Sequence, residues 1–280
     1  SGNWEHTNIL WTQQKIEDAY TEAFIEAREI LFKHRANRIR PALDHKIILS
    51  WNNLMVIAFC KSFAALGIES YRQQAISTMK WLEENLFNAT DHYFYHTNTN
   101  GVKKSFAFLE DYATLIQAYI QLQEITGELE YLLKAKKWLE YVQLNFRDEE
   151  GVFFYYTASY QQDVIVRKKE NYDGAQPSGN SMMCYSIFYL GTIFDKAAWI
   201  EQSEAMMRAM RKQLLQYPSS FGYWGQSFLV HSTGFIELVG TGQNVQKDIP
   251  SVLKQFIPHK ILLFSPFTDA NIPLISMKQS

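Results

Sequence analysis

The chain has 280 residues, of which 47% are hydrophobic, so it can bury a sizeable core in one large domain. Its 27 Lys and Arg nearly balance its 29 Asp and Glu, and the net charge of −2 leaves no basic excess for a nucleic-acid backbone. Two cysteines exclude a disulfide-built scaffold, and the apolar run at 54–60 is shorter than the roughly 18 residues that span a bilayer. We therefore expect a soluble cytoplasmic protein that binds neither nucleic acid nor membrane and needs no cofactor.

Helical periodicity predicts an alternation of amphipathic and buried helices along the first part of the chain. Residues 14–35 and 69–87 each carry an apolar stripe with charges elsewhere, which is typical of amphipathic helices. Between them, residues 44–66 are apolar around most of the helix circumference, so this helix should be buried on nearly all sides. Gly67 is placed to end it.

The same alternation recurs about 60 residues later. An apolar helix at 105–126 is closed by Gly127, and an amphipathic helix follows to about residue 146. A weaker third copy pairs an apolar helix at 181–194 with an amphipathic one at 196–216. A period in this range indicates stacked helical hairpins, with the apolar helices inside and the amphipathic helices outside.

Aromatic runs follow two of the outer helices, and those at 93–95 and 153–156 predict short hairpin strands. His92 and His96 lie four residues apart at the first run. In a strand that spacing separates them by about 13 Å, too far for both to bind one metal ion. The sequence therefore predicts no metal site there.

After about residue 220 the pattern changes. Strand-like segments at 235–239 and 260–264 flank a helix-like segment at 245–256, which predicts a small βαβ unit. We expect two parts: α/α helical hairpins over 1–220 and an α/β appendix over 221–280.

Polar clusters stand near the starts of the three predicted inner helices, at 40–52, 110–112 and 170–180. In a ring of hairpins these ends converge on one mouth, so the clusters can share a cleft. Carboxylates there can act as a general acid and base if their surroundings separate their pKa values. Aromatic side chains beside them suit a sugar, whose C–H faces lie on rings while its hydroxyls pair with carboxylates and amides.

We assign Asp111, Asp173 and Glu170 as the candidate catalytic carboxylates. The candidate substrate-binding residues are Lys46, Trp51, Asn52, Tyr112, Ser178 and Asn180. Adjacent helical residues point about 100° apart, so we place Asp111 toward the mouth and Glu110 toward a basic partner.

Structural interpretations compete with these assignments. Asp44, Ser178 and Asn180 are good N-cap residues, and capping requires no further function. Trp51 can equally pack in the core. The carboxylate pair at 110–111 can be a structural ion pair with a basic side chain, because a carboxylate buried alone costs several kcal/mol.

Three segments carry a resemblance to a known family. Residues 38–55, RIRPALDHKIILSWNNLM, resemble R-x-R-P-x-x-D-D-K-x-x-x-x-W-N-G-L-M. Residues 108–113, FLEDYA, resemble F-L-D-D-Y-A, and residues 170–181, ENYDGAQPSGNS, resemble E-x-Y-D-G-A-x-P-S-G-N-S. In this order and spacing, over about residues 14–265, they are similar to the thioredoxin-domain-containing family related to spermatogenesis-associated protein 20.

The resemblance implies a thioredoxin-like domain followed by an (α/α)6 toroid of the six-hairpin glycosidase type, similar to N-acylglucosamine 2-epimerase and cellobiose 2-epimerase. This chain is similar only to the C-terminal portion, with too few hairpins to close a ring of six, and it has no Cys-x-x-Cys. It departs from the family pattern at His45, Asn53 and Glu110, where Asp, Gly and Asp are usual.

Two functional hypotheses follow. The first is a carbohydrate-binding or carbohydrate-processing toroid, either hydrolase-like or epimerase-like. An epimerase needs a base such as histidine, and His45 is the only histidine near a cluster, which gives epimerase chemistry little support. The second is a non-enzymatic scaffold that pairs with a missing N-terminal portion or self-associates through exposed inner-helix faces.

Overall fold

The computed structural model describes residues 2–9 and 21–276, and the chain divides into two units, 1–45 and 46–280. In the first unit α1 covers Thr21–Ala36, and its described side chains are all exposed. This helix confirms the later part of the predicted segment 14–35, whose first residues lie outside the described ones.

The second unit is built mainly of helices joined in sequential pairs. Its elements are β1 (Lys46–Ile48), α2 (Leu49–Leu66), α3 (Glu69–Leu86), β2 (Phe87–Asn88), β3 (Tyr93–Thr99), β4 (Val102–Phe106), α4 (Leu109–Thr126), α5 (Leu129–Asn145), α6 (Gly179–Ile193), α7 (Ala197–Gln216), α8 (Gly222–Thr233), β5 (Ile236–Thr241), α9 (Ile249–Leu253), β6 (Lys260–Ser265) and α10 (Pro273–Ser276). The alternation of helices predicted from the apolar periodicity is confirmed.

Helix α4 is the centre of this unit. It packs against α2 on one side and α6 on the other, with α5 outside it, and nearly all of its residues are buried. The inner helices α2 and α4 end at Gly67 and Gly127, whose φ values of 68° and 75° lie in the left-handed region that suits glycine. Both predicted helix ends are confirmed.

The prediction that the first inner helix is buried on nearly all sides was wrong. One face of α2 packs on α3 and α4, whereas Trp51, Met55 and Leu66 on the opposite face are 61%, 49% and 60% exposed. α2 is also the one helix, among residues 2–9 and 21–276, long and apolar enough to cross a membrane by length and composition. Because Val56 and Cys60 are buried in the helical array, α2 is a packed helix of that array.

Strand β3 pairs antiparallel with β1, β2 and β4, which places this hairpin beside the starts of α2 and α4. The first predicted aromatic strand is therefore confirmed. The second, at 153–156, forms only an isolated bridge between Phe154 and Arg147.

The predicted βαβ unit is present, with β5 and β6 paired in parallel and α9 between them. It packs on the C-terminal end of α4, where the Gln246 amide donates a hydrogen bond of 3.1 Å to the Thr126 carbonyl oxygen. The domain boundary near residue 220 stays a prediction.

Candidate functional site

A cavity of about 730 Å³ opens at the N-terminal ends of α4 and α6, beside the first turn of α2. Its polar and aromatic lining comes from separate segments: Trp51 on α2, His96 on β3, Glu110 on α4, and Tyr156, Glu170, Tyr172 and Gln176 on the connections before α6. None of the described residues that line it is a lysine or an arginine. The expected convergence of inner-helix starts therefore forms one acidic, aromatic cleft.

Glu110 faces this cavity, not a basic partner. Its Oε1 accepts a hydrogen bond of 3.1 Å from the Tyr156 hydroxyl, and its Oε2 accepts one of 2.9 Å from the Gln176 amide. Burial, followed by the charge of Asp111, raises the pKa of the Glu110 carboxyl above its ordinary value, although these hydrogen bonds and His96 oppose the shift. Glu110 can therefore keep its proton closer to neutral pH than an exposed glutamate.

Asp111 is fully buried and does not line the cavity, so its expected orientation toward the mouth was wrong. Its Oδ1 accepts a hydrogen bond of 2.9 Å from the Ser50 backbone N–H, in the first turn of α2. Its Oδ2 accepts one of 2.8 Å from the Phe108 N–H at the start of α4. The carboxylate bends back to cap its own helix and also caps the neighbouring one, which joins α2 to α4.

His96 is the functional candidate that sequence analysis missed. Its Nδ1 lies 2.7 Å from Asp111 Oδ2, and its ring packs 4.9 Å from the Phe108 ring while lining the cavity. Burial lowers the pKa of His96, but the hydrogen bond and charge of Asp111 outweigh it, so the net shift is upward from 6.5. With Nδ1 held, Nε2 is the ring atom left for a ligand, since it has no hydrogen-bond partner in the described part of the chain.

The signal for His96 in the sequence was weak but present. In β3 the side chains of Phe94, His96 and Asn98 alternate with their neighbours, and Phe94 and Asn98 are both buried. A histidine between two inward positions of an aromatic strand is directed at the helical core. The spacing between His92 and His96 bears only on whether the two can share a metal ion, and it says nothing about the inward orientation of His96.

Asp173 joins another pair of helices as Asp111 does. Its Oδ1 accepts hydrogen bonds from the Ser178 N–H at 2.9 Å and from the Ser181 hydroxyl at 2.7 Å. Its Oδ2 accepts hydrogen bonds from the Tyr223 and Trp224 N–H groups at 2.9 and 3.3 Å. Asp173 thus caps the starts of α6 and α8 and does not line the cavity.

Three further predicted residues lie outside the lining and have structural contacts. Asn180 is fully buried, accepting from the Phe154 N–H at 2.8 Å and donating to its carbonyl oxygen at 3.0 Å. The buried Tyr112 hydroxyl accepts from the Phe94 N–H at 3.1 Å. The Asn52 amide donates to a carbonyl one turn earlier in the chain.

The remaining predicted residues divide between the cavity and its surroundings. Trp51, Glu170 and Ser178 line the cavity, and Ser178 is also the N-cap of α6, where its side chain accepts from the Ser181 N–H. Lys46 lies on β1 and is not part of the lining. Among residues 2–9 and 21–276, no three His, Cys, Asp or Glu side chains cluster as metal ligands would.

Comparison with known proteins places the chain among relatives of one protein. It is 27% identical to mouse spermatogenesis-associated protein 20 over 266 residues, which cover 89% of this chain and 34% of the relative. The human protein is 25% identical over 266 residues, which again cover 89% of this chain and 34% of the relative. The chain is a homologue of spermatogenesis-associated protein 20. No protein-family model matches it.

The homologous region is a part of longer proteins, since the chain spans about a third of the length of these curated relatives. An uncharacterised protein of Caenorhabditis elegans is 30% identical over 199 residues, covering 69% of this chain and 27% of the relative.

Solved structures establish the fold. A glycoside hydrolase family 76 α-mannanase of Bacteroides thetaiotaomicron has a TM-score of 0.55 at 13% identity and covers 84% of this chain and 65% of the mannanase. The cellobiose 2-epimerase of Spirochaeta thermophila has a TM-score of 0.51 at 14% identity and covers 70% of this chain and 56% of the epimerase. The chain therefore has the predicted α/α-toroid architecture with small sheets, and its fold is shared with carbohydrate-processing proteins.

Proposed function

We propose that the cavity binds a neutral carbohydrate and that Glu110 and His96 exchange protons with it. The observation that carries this proposal is that one cavity combines a carboxyl of raised pKa, an imidazole held by a buried carboxylate, and an exposed indole. The function of the α-mannanase and the 2-epimerase supports a sugar ligand through the shared fold.

Glu110 and His96 are suited to different roles in proton transfer to and from a ligand. Burial keeps the Glu110 carboxyl protonated to higher pH, which favours its action as a general acid. His96 keeps Nε2 for the ligand, because Nδ1 is bound to Asp111. Asp111 is then a positioning residue that fixes the imidazole. This arrangement replaces Asp111 and Asp173 among the catalytic carboxylates assigned from the sequence. It also brings to the cavity a histidine, His96, other than the His45 considered there.

The charge of the lining favours a neutral ligand. Glu110 and Glu170 are acidic, and the lining described above contains no lysine or arginine to pair with a uronate or a phosphate. The walls include Trp51 and Tyr172, which are 61% and 55% exposed and can stack on the apolar faces of a sugar ring. A hexose or a disaccharide therefore fits better than an acidic sugar.

Ligand-induced stabilisation tests the proposal. We expect mannose, glucose or cellobiose to raise the thermal unfolding midpoint in a saturable way, because a ligand selective for the folded state stabilises it. Glucuronate should have little effect. Glu110→Gln should remove or strongly reduce the sugar shift, whereas Glu201→Gln, on the exposed face of the outer helix α7, should keep it.

The outcomes of this experiment separate the alternatives. A panel of neutral sugars with no midpoint shift at millimolar concentration would contradict the proposal. So would an equal shift in wild type and Glu110→Gln.

The exposed apolar face of α2 supports the alternative hypothesis that the chain is a non-enzymatic scaffold. Trp51, Met55 and Leu66 are exposed there, and large apolar side chains grouped on one helix are typical of association surfaces. Under this second proposal the chain self-associates or binds a toroid partner through α2. Light scattering should then show oligomers that Met55→Lys dissociates, and a concentration-independent monomer in wild type would argue against self-association.

A further inference from the structure

A second cavity, of about 550 Å³, lies at the opposite ends of α2 and α4 from the first. It is lined by Lys61 on α2, Glu124 on α4, and the segment 253–260, which runs from the last residue of α9 to the first residue of β6. Glu110 and Glu124 are 14 positions apart on one helix, which at 1.5 Å per residue separates the two cavities by roughly 20 Å. They share no lining residue.

The charge of this second cavity is opposite to that of the first. Three lysines line it, at positions 61, 254 and 260, together with His259 and a single acidic side chain, Glu124. Lys260 lies 3.9 Å from Glu124, and the charge of Lys61 also acts on this carboxylate, so one acidic side chain is shared between two of the lysines. Three lysines against one glutamate leave a surplus of two positive charges without a protein counter-ion.

Glu124 is built into the wall and does not neutralise the lysines fully. It is 4% exposed, and its Oε1 accepts a hydrogen bond of 3.0 Å from the Tyr189 hydroxyl. Its Oε2 lies 3.9 Å from Lys260 Nζ, which holds that ammonium group at the cavity wall. Burial raises the pKa of Glu124, with Lys260 opposing, so any protonation of it increases the positive surplus.

The remaining lining is apolar. Ala64, Ile125, Leu253 and Ile257 contribute aliphatic surface, and Phe256 presents a ring that is 95% exposed. A ligand that satisfies both parts of the lining has one anionic group and a compact apolar or ring-shaped body. The volume of about 550 Å³ accommodates a small metabolite of this kind.

We infer that this second cavity binds a small phosphate monoester, with its phosphate among the three lysines and its body against Phe256. A phosphate monoester carries close to two negative charges at neutral pH, which matches the lysine surplus better than a carboxylate does. The alternative is that the lysines only offset the negative carbonyl ends of α2 and α4. That structural role requires no ligand and predicts no anion binding.

Phenyl phosphate is the probe, titrated near pH 8 and followed by calorimetry, with benzoate and phenol as the monoanionic and neutral analogues. We expect saturable binding of phenyl phosphate that weakens as salt is added, weaker binding of benzoate and none of phenol. Lys254→Gln and Lys61→Gln should each weaken binding about tenfold, as loss of a charge-assisted contact does. Lys212→Gln, an exposed lysine of α7, is the matched control and should bind as wild type does.

The inference is independent of the sugar site. Lys254→Gln should keep the unfolding midpoint of the apo protein and any neutral-sugar shift, because position 254 belongs to the second cavity only. No saturable phenyl phosphate binding in wild type would overturn the inference. Equal weakening by Lys212→Gln, or benzoate binding as tight as phenyl phosphate, would overturn it as well.

Discussion

Asp111→Asn is the sharpest test of how the hairpins are held together. The carboxylate accepts from the Ser50 N–H on one oxygen and from the Phe108 N–H and His96 on the other. Asparagine keeps the shape but replaces one oxygen with an amino group. Whichever way the amide is turned, at least one buried N–H then faces a donor and loses its acceptor.

The loss of stability expected for Asp111→Asn follows from these contacts. A buried donor left without an acceptor costs about 1–3 kcal/mol, and breaking a buried charged pair costs about 3–5 kcal/mol. These terms overlap at Asp111, so we expect a loss of about 3 kcal/mol in the free energy of unfolding. In a unit of this size that loss lowers the unfolding midpoint by about 6–12 °C.

The effect should also depend on pH through His96. The pKa of His96 is raised above 6.5 in the folded state, so its stabilising contribution is complete below pH 6.5 and is lost as pH rises through the folded-state pKa. Asp111→Asn removes the charge that raises this pKa. The difference in midpoint between wild type and variant should therefore be larger near pH 6 than near pH 9.

Thermal unfolding followed by circular dichroism at these two pH values measures both quantities. Asp163→Asn, an exposed aspartate in the connection before α6, is the matched control and should leave the midpoint unchanged. An Asp111→Asn midpoint equal to wild type at both pH values would refute the assignment of Asp111 as a double helix cap.

Three further predictions rest on single contacts. Gly179→Ala should lower the unfolding midpoint, because the added Cβ would lie 2.9 Å from Leu109 Cγ and overpacking of this kind costs about 1–3 kcal/mol. An unchanged midpoint would contradict the close approach of α6 to α4. In an NMR titration the pKa of His96 should lie above 6.5, whereas the pKa of His231, which is lowered mainly by burial, should lie below 6.5. The reverse order would contradict both of these environments. Trp51→Ala should change the unfolding midpoint little, since the indole is 61% exposed, but it should weaken neutral-sugar binding. A sugar-induced rise in the midpoint equal to that of wild type would exclude stacking on this ring.

Local sequence patterns were enough to predict the helical array. The apolar period and the glycines at 67 and 127 predict where α2 and α4 run and end, because helix periodicity and left-handed caps depend on neighbouring residues in the chain. The paired strands β5 and β6 were visible for the same reason. These features need no knowledge of what packs against them.

The composition of the site depended on tertiary contacts. Glu110 and Asp111 are adjacent, and periodicity separates their directions without saying which one faces the cavity. Asp111 turned inward because the free N–H groups at the starts of two helices meet there, and one of those helices begins about 60 residues earlier in the chain. The same carboxylate then holds His96, which arrives from a separate hairpin.

The sequence by itself therefore determined the helices, their order and the acidic, aromatic character of the mouth. Only the tertiary structure decided which acidic residue lines the cavity and which one caps helices. It also decided that Lys61 and the lysines at 254 and 260, almost 200 positions later in the chain, line a second cavity. The physical reason is that hydrogen-bond satisfaction and charge are properties of the space between elements, whereas periodicity is a property of each element alone.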